Sequence, residues 1–126
     1  MRALAAAGLA GALASCAPVP PAPGIAGDGF AARLSGIGTE PFWSLDIDGG
    51  QARYATPERP DGTAFVVARR TAGGTLIVTG RLDGRPVVAT VRRQSCSDGM
   101  SDRTWPMTLA LVIGTVRQSG CAAPAP

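Results

Sequence analysis

Short runs of alternating apolar and polar residues follow one another along most of the chain, separated by Gly, Asp and Pro. In the segment FWSLDID at 42–48, Trp43, Leu45 and Ile47 fall on one face and the polar residues between them on the other. This alternation is typical of a half-buried β-strand. No stretch of ten or more residues repeats its apolar positions with the 3.6-residue period of a helix. The pattern therefore predicts an all-β domain.

A β-hairpin is predicted around the Asp-Gly dipeptide at 83–84, which favours a two-residue type I′ turn. Pairing Leu82 with Arg85 places Val78 opposite Ala89, so that apolar residues meet on one face. Further strands are predicted at 33–37, 51–56, 63–69, 107–113 and 115–121. About eight short antiparallel strands in so small a domain predict a closed barrel, with a two-sheet sandwich as the alternative.

The chain divides into a leader, a spacer, one domain and a tail. Residues 1–15 carry one positive charge and then small apolar residues, too few for the roughly 20 that span a bilayer, which predicts an export signal peptide. Residues 16–29 are rich in proline and predict an extended tether. The β-barrel domain is predicted to cover 30–122, and residues 123–126 to form a disordered tail, because proline interrupts sheet pairing.

Composition narrows the chemistry that the domain can perform. The 126 residues include 12 basic residues, all arginine, 9 acidic residues and no histidine. Catalysis by Ser-His-Asp or Cys-His is therefore excluded, and the commonest metal ligand is missing. The positive charges are spread along the chain without a basic tract, which argues against nucleic-acid binding. We accordingly predict a protein that is not an enzyme and holds no cofactor or metal.

Two pairs of adjacent arginines lie in predicted strands or beside them, Arg69-Arg70 and Arg92-Arg93. Neighbouring residues on a strand point to opposite faces, so one member of each pair could face lipid or solvent. Solvated surface is the expectation for these side chains.

The leader ends in LASC at 13–16, which resembles the lipobox of bacterial lipoproteins. The resemblance implies that Cys16 becomes the first residue after cleavage and carries a diacylglyceryl thioether and an amide-linked acyl chain such as palmitate. Two or more chains anchor a protein to a membrane without a spanning segment. Ala17 stands where an aspartate would favour inner-membrane retention, so the resemblance implies the outer membrane, facing the periplasm. An ordinary secretory signal with a chance cysteine is the alternative.

With Cys16 lipidated, Cys96 and Cys121 remain as a pair in an oxidising compartment, where a disulfide is expected. Closing a loop of about 25 residues would stabilise the domain by roughly 3.5 kcal/mol. A metal site or redox pair is the alternative, although the sequence has neither CxxC spacing nor histidine.

Two motifs stand out, GTEPFW at 38–43 and CSDGMSDRTWP at 96–106, with Gly-Cys at 120–121. Together with the lipobox they resemble a family of largely uncharacterised proteobacterial envelope lipoproteins. The family pattern usually has Tyr before the last proline of the second motif, where this chain has Trp105. The resemblance implies a small β-rich periplasmic domain without an established activity. A looser likeness, of architecture alone, is to the membrane-bound inhibitors of c-type lysozyme.

Each motif has a structural and a functional interpretation. In the first, Trp43 could anchor the core, or Glu40 and Trp43 could lie on a rim and meet a ligand. In the second, Asp102 could cap main-chain amides or pair with Arg103 in a self-contained loop, or the loop could recognise a partner, with arginine binding a carboxylate. The candidate binding residues of the loop are Ser97, Asp98, Ser101, Asp102, Arg103 and Trp105.

These observations favour a lipid-anchored envelope protein that binds another envelope protein or inhibits lysozyme. A structural or stress-related envelope lipoprotein is the second hypothesis. A hydrolase that uses Glu40 with Asp98 or Asp102 is the third, since paired carboxylates about 5–10 Å apart can hydrolyse glycosides. Calcium binding by Asp98 and Asp102 is disfavoured, because two acids around one glycine supply too few ligands.

Overall fold

A computed structural model of the chain describes residues 8, 11 and 24–126. Cys16, the predicted lipidation site, and all of the predicted leader except residues 8 and 11 lie outside the described residues. The described residues include no helix that is long and apolar enough to cross a membrane. The strands are β1 (Arg33–Thr39), β2 (Phe42–Asp48), β3 (Gln51–Thr56), β4 (Arg59–Ala72), β5 (Thr75–Leu82), β6 (Arg85–Arg92), β7 (Cys96–Ser97), β8 (Thr104–Trp105), β9 (Met107–Ile113) and β10 (Val116–Pro124).

Eight strands close into an antiparallel barrel in the order β1-β10-β9-β6-β5-β4-β3-β2, and β7 pairs with β8 in a separate ladder. The predicted eight-strand barrel is thereby confirmed. The predicted register of the β5–β6 hairpin is also observed, with Leu82 opposite Arg85 and Val78 opposite Ala89. Asp83 and Gly84 both have positive φ, 50° and 76°, as a type I′ turn requires.

The barrel interior is filled by the apolar residues that alternate along each strand. On β2, Trp43, Leu45 and Ile47 are only 2–3% exposed, as the pattern predicts. Their neighbours in sequence point outward, because successive side chains of a strand face opposite sides. The core therefore lies inside the barrel wall, while the outward positions form the surface.

Two strands extend further than the sequence predicts. The fourth covers Arg59–Ala72 instead of 63–69, and the last reaches Pro124. The expectation of a disordered tail at 123–126 is wrong for its first half, since Ala123 and Pro124 pair with β1. Proline is tolerated at position 124 because its lack of an amide N–H affects only the end of the strand. Ala123 is buried, with 6% of its surface exposed.

The barrel has two distinct ends. One end carries the glycine turns 49–50 and 73–74, and we call it the plugged end because residues 24–32 fold across it. The other end carries the turns 40–41, 57–58, 83–84 and 114–115, and we call it the far end.

Residues 24–29, which the sequence analysis assigns to the tether, are part of the domain. Ala26 and Phe30 are joined by a main-chain hydrogen bond of 2.9 Å, and a bridge joins Ile25 to Ala31. Phe30 is 3% exposed and belongs to the core cluster. Burial of the Phe30 side chain stabilises this segment against the end of the barrel, which a spacer of polar residues alone would not do.

Arg69 points into the barrel at the plugged end, so the expectation that it is solvated is wrong. Its guanidinium donates to Asp28 at 2.7 Å, and both side chains are 7% exposed. Further bonds go to the main-chain oxygens of Ala31 and Ala32, at 3.0 and 2.9 Å. A buried arginine must be paired, and the segment 24–32 supplies both the carboxylate and the carbonyl oxygens.

Candidate functional site

The second motif lies in a loop, residues 93–106, that leaves β6 at the plugged end and crosses the outside of the barrel wall. A disulfide between Cys96 and Cys121, with Cα atoms 5.6 Å apart, confirms the predicted pairing and ties the loop to β10. The short ladder places Cys96 opposite Trp105, which closes the base of the loop. The disulfide therefore fixes the loop covalently to the barrel wall, and the ladder brings the two ends of the loop together.

Trp105 lies beneath the loop rather than on its surface. The indole is part of a small cluster outside the barrel with Cys121 and Ala123, against which Ile37 and Cys96 pack. Trp105 is 6% exposed, so this predicted binding residue is a packing residue. Its burial explains why the loop follows the wall closely, since a large aromatic side chain gains most by covering apolar surface.

The carboxylate of Asp98 organises the tip of the loop. One oxygen accepts the main-chain amides of Ser101, at 2.8 Å, and Met100, at 2.9 Å. The other accepts the Ser101 hydroxyl at 2.8 Å and the Trp105 indole N–H at 3.2 Å. These donors, the Ser101 amide first, lower the pKa of Asp98 well below its ordinary value. The tip is therefore fixed by a charged acceptor at neutral pH.

The role expected of Asp102 belongs instead to Asp98. Within residues 24–126, Asp102 forms no ion pair, whereas Arg103 stacks its guanidinium over the Trp105 ring at 3.8 Å. The hydroxyl of Ser97 accepts the Gly99 amide at 3.2 Å. Aspartate at the first position of a tight turn reaches the amides two and three residues ahead, which Asp98 satisfies.

The loop also contacts the end of β1. Thr39 donates its hydroxyl to the main-chain oxygen of Asp98 at 3.2 Å. This bond places the loop tip beside the β1–β2 turn, where Glu40 is exposed and precedes a cis peptide bond to Pro41. The two motifs, joined here by residues 59 positions apart in the sequence, therefore meet on the same surface.

A groove of about 430 Å³ separates the loop tip from the β3–β4 turn. Its floor is the outer face of three strands, where Ile37 faces Ser44 and Ser44 faces Ala55. Phe42, 53% exposed, and Met100, 68% exposed, line its mouth. Two large apolar side chains exposed side by side mark a surface suited to contact with another molecule.

The sequence analysis does not identify this groove. The outward position of Phe42 could have been read from its alternation with Trp43, since the strand that buries the tryptophan must expose the phenylalanine. Met100 carries no such signal, because it lies in an irregular turn. The meeting of a loop, a strand end and a turn depends on barrel closure, which no local pattern encodes.

Trp43 lies in the core and not on a rim, which corrects one of the two interpretations of GTEPFW. It pairs with Gly38 across the hairpin, and a Cβ on Gly38 would overlap the indole. A Cβ on Gly120 would overlap the main-chain oxygen of Ile37 and touch the same ring. Gly38 of the first motif and Gly120 of the Gly-Cys pair thus make room for one tryptophan, a known arrangement of aromatic side chains over strand glycines.

The carboxylates of this surface are not grouped as a metal site in the part of the chain that the structure describes. No group of three His, Cys, Asp or Glu side chains is placed to hold a metal ion there. Both oxygens of Asp98 already accept two donors each, which leaves them directed into the loop. The hydrogen bonds of Asp98 are therefore suited to fixing the conformation of the loop while other side chains of the loop stay exposed.

No family model matches the chain, and no curated protein or solved structure shows significant similarity to it. What the site does must therefore be argued from its own residues.

Proposed function

We propose that the protein is a lipid-anchored envelope lipoprotein that binds another protein through the loop 97–105 and the adjacent groove, without catalysing a reaction. The anchor is Cys16, on the basis of the lipobox resemblance, and the binding face is the loop tip together with Phe42. The sequence supports the anchor and the geometry of the loop supports the binding face.

The observation that carries the proposal is the hydrogen-bond network of Asp98, which fixes the loop while leaving its tip exposed. Met100, Asp102 and Arg103 are exposed. A surface that is already ordered loses less conformational entropy when it binds, so more of its contact energy appears as affinity. A loop whose conformation is fixed by its own hydrogen bonds and whose side chains are exposed therefore suits recognition better than a loop that must become ordered on binding.

Arg103 is suited to binding a carboxylate of the partner. Its guanidinium lies flat over the Trp105 ring at 3.8 Å, which restricts its orientation and leaves N–H groups at its edge. A planar guanidinium with free N–H groups binds a carboxylate through two parallel hydrogen bonds. Beside it, Met100 and Phe42 offer apolar contact, so the partner should present an acidic residue next to an apolar one.

Inhibition of c-type lysozyme is the specific version of this proposal, because the cleft of that enzyme holds catalytic carboxylates. The test is the rate of cell-wall lysis by lysozyme with stoichiometric amounts of the detergent-solubilised mature protein. Arg103→Ala should relieve the inhibition, whereas Arg117→Ala, an exposed arginine on β10, should not. An unchanged lysis rate with the wild-type protein would contradict this version.

The wider proposal is tested by cross-linking in intact cells. A photoreactive residue at position 102 should give discrete adducts that disappear with Arg103→Ala and persist with Arg117→Ala. The same residue at position 88, on the wall of β6, serves as the control for chance collisions. Identical adducts from positions 88 and 102 would argue against recognition by the loop.

A structural role is the second candidate, and the burial of Trp105 favours it. Five of the six predicted binding residues, all except Asp102, make contacts within the loop itself. If the loop only protects the barrel wall, Asp102→Ala and Arg103→Ala should leave envelope phenotypes intact, while Trp105→Ala should not. Position-102 adducts that depend on Arg103 would contradict this candidate.

A further inference from the structure

Three exposed arginines lie around the plugged end of the barrel without a carboxylate partner. Arg70 is near the end of β4, Arg92 ends β6, and Arg93 follows it. None of the three forms an ion pair within residues 24–126. Arg93 stacks over Phe30 at 3.8 Å and donates to Gly29. Arg70 and Arg92 make no side-chain hydrogen bond or ion pair with the described residues.

The carboxylates near the plugged end each lie close to an arginine. Asp46, on the outer face of β2, forms no ion pair within residues 24–126 but lies opposite Arg53 on β3. Asp28 binds Arg69 inside the barrel, and Asp48 binds Arg33 at 3.2 Å. At the far end the charges are mixed, with Glu40 and Glu58 in its turns and Asp83 paired with Arg59 at 3.7 Å. Positive charge without compensation is therefore concentrated at the plugged end.

Arg70 and Arg92 both point outward, on neighbouring rows of the sheet. Arg70 faces Ile77 on β5, and Ile77 faces Thr90 on β6, two residues before Arg92. Strands lie about 4.8 Å apart, so the two arginines are separated by roughly 10 Å across the sheet. This spacing allows each guanidinium to reach a different anionic group on one surface.

The chain before the domain also leads to this end. Gly24 accepts the Ala32 amide at 2.9 Å, so the described chain begins against the plugged end. Cys16 precedes Gly24 by eight positions, which is at most about 28 Å of extended chain. A lipid on Cys16 would therefore keep the plugged end within reach of the membrane surface and turn the far end, with Phe42 and the loop tip, away from it.

We propose that the plugged end rests on anionic phospholipid headgroups, with Arg70 and Arg92 contacting their phosphates. The proposal rests on the lipid anchor proposed above and adds an orientation and a lipid preference to it. Guanidinium binds phosphate through paired hydrogen bonds, and basic residues near an anionic bilayer each strengthen binding about fivefold. The glycine turns at 49–50 and 73–74 project no long side chain that would hold the surface away.

The experiment uses the lipidated full protein reconstituted in vesicles of phosphatidylcholine, with or without about 30% phosphatidylglycerol. Arginines are modified with phenylglyoxal and the rate at each site is read by peptide mass spectrometry. In the anionic vesicles Arg70 and Arg92 should react about fivefold more slowly than in phosphatidylcholine, and 0.5 M NaCl should restore their rates, since salt screens such contacts. Arg85 and Arg117, near the far end, are the internal controls and should not change.

If Arg70 and Arg92 each react at the same rate in both kinds of vesicle, the proposal is overturned. This also holds if both kinds of vesicle slow the reaction equally, because closeness to a membrane surface alone would then explain the protection. A matched pair of variants sharpens the test. Arg70→Gln should reduce the protection of Arg92 in anionic vesicles, whereas Arg85→Gln should leave that protection intact.

The mass of the Cys16 peptide in the same digest separates failure of the anchor from failure of the docking surface. If Cys16 carries no lipid, the anchor proposal fails, and co-sedimentation of the same protein with the two vesicle types decides the docking proposal. Binding to the anionic vesicles alone, with Arg70 and Arg92 protected, would support it. Absence of co-sedimentation would overturn it.

Discussion

Asp28 and Asp98 each hold a chain segment against the barrel, but their surroundings differ. Asp28 is 7% exposed and binds Arg69, a residue 41 positions away that points into the barrel. Asp98 lies at the surface, and its carboxylate accepts only donors between two and seven positions ahead of it. The first carboxylate joins distant parts of the fold and compensates a buried charge, whereas the second shapes one loop. The first should therefore matter for stability and the second for recognition.

The largest effect should come from Asp28→Ala. This change leaves the Arg69 guanidinium buried without its counterion, so the free energy of unfolding should fall by about 3–5 kcal/mol. Urea denaturation followed by tryptophan fluorescence measures it. The double change Asp28→Ala with Arg69→Met, which removes both charges, should recover much of the loss. A single variant within about 1 kcal/mol of wild type would mean that water reaches Arg69 through the plug.

The two carboxylates also differ in how far the sequence could predict them. A local bond from an aspartate of the second motif follows from turn chemistry, although the sequence pattern favours Asp102 as the capping residue and the structure shows Asp98 in that role. The pair of Asp28 with Arg69 joins a presumed tether to a strand, and no periodicity connects them. Alternation places Arg69 on the same face of β4 as Val67, which is buried. The general preference of arginine for solvent nevertheless predicts an exposed side chain there, and that prediction is wrong.

The barrel itself was largely predictable, because its signals are local. Alternation in β2 and the Asp-Gly turn fixed which residues face the core and which strands pair. The disulfide followed from the number of cysteines left after the lipobox. The groove at Phe42 and Met100 was not predictable, because it forms where three separate segments meet after the sheet closes.

Removing the disulfide should have the next largest effect. With Cys96→Ala and Cys121→Ala together, the loss of the cross-link should lower the free energy of unfolding by about 3.5 kcal/mol. The same measurement on reduced wild-type protein is the control, since it removes the bond without removing the side chains. An unchanged unfolding midpoint in both would show that Trp105 packing alone holds the loop. The result separates covalent from non-covalent attachment of the recognition surface.

Asp98→Ala should have a smaller effect on stability and a larger one on the loop. The tip loses the acceptor for two main-chain amides, a hydroxyl and the Trp105 indole, all of which can turn to water at this exposed position. We expect an unfolding midpoint close to that of wild type and weakened cross-linking from position 102. Asp61→Ala, an exposed aspartate on β4, is the matched control. A collapse in stability would mean that Asp98 resembles Asp28 after all.

The smallest effect is expected from mild acid, which tests the same hydrogen bonds. The folded pKa of Asp98 lies below that of an unfolded aspartate, about 3.9, so its contribution to stability is complete above about pH 5, where both states are ionised, and declines as the pH falls further. The difference in urea midpoint between wild type and Asp98→Asn should therefore stay constant from pH 7 to about pH 5 and shrink below it. The indole N–H resonance of Trp105 should likewise not move between pH 7 and pH 4. A shift of that resonance centred near pH 4 would show an aspartate with an ordinary pKa, and the loop would then lack the charged acceptor that distinguishes it from a flexible turn.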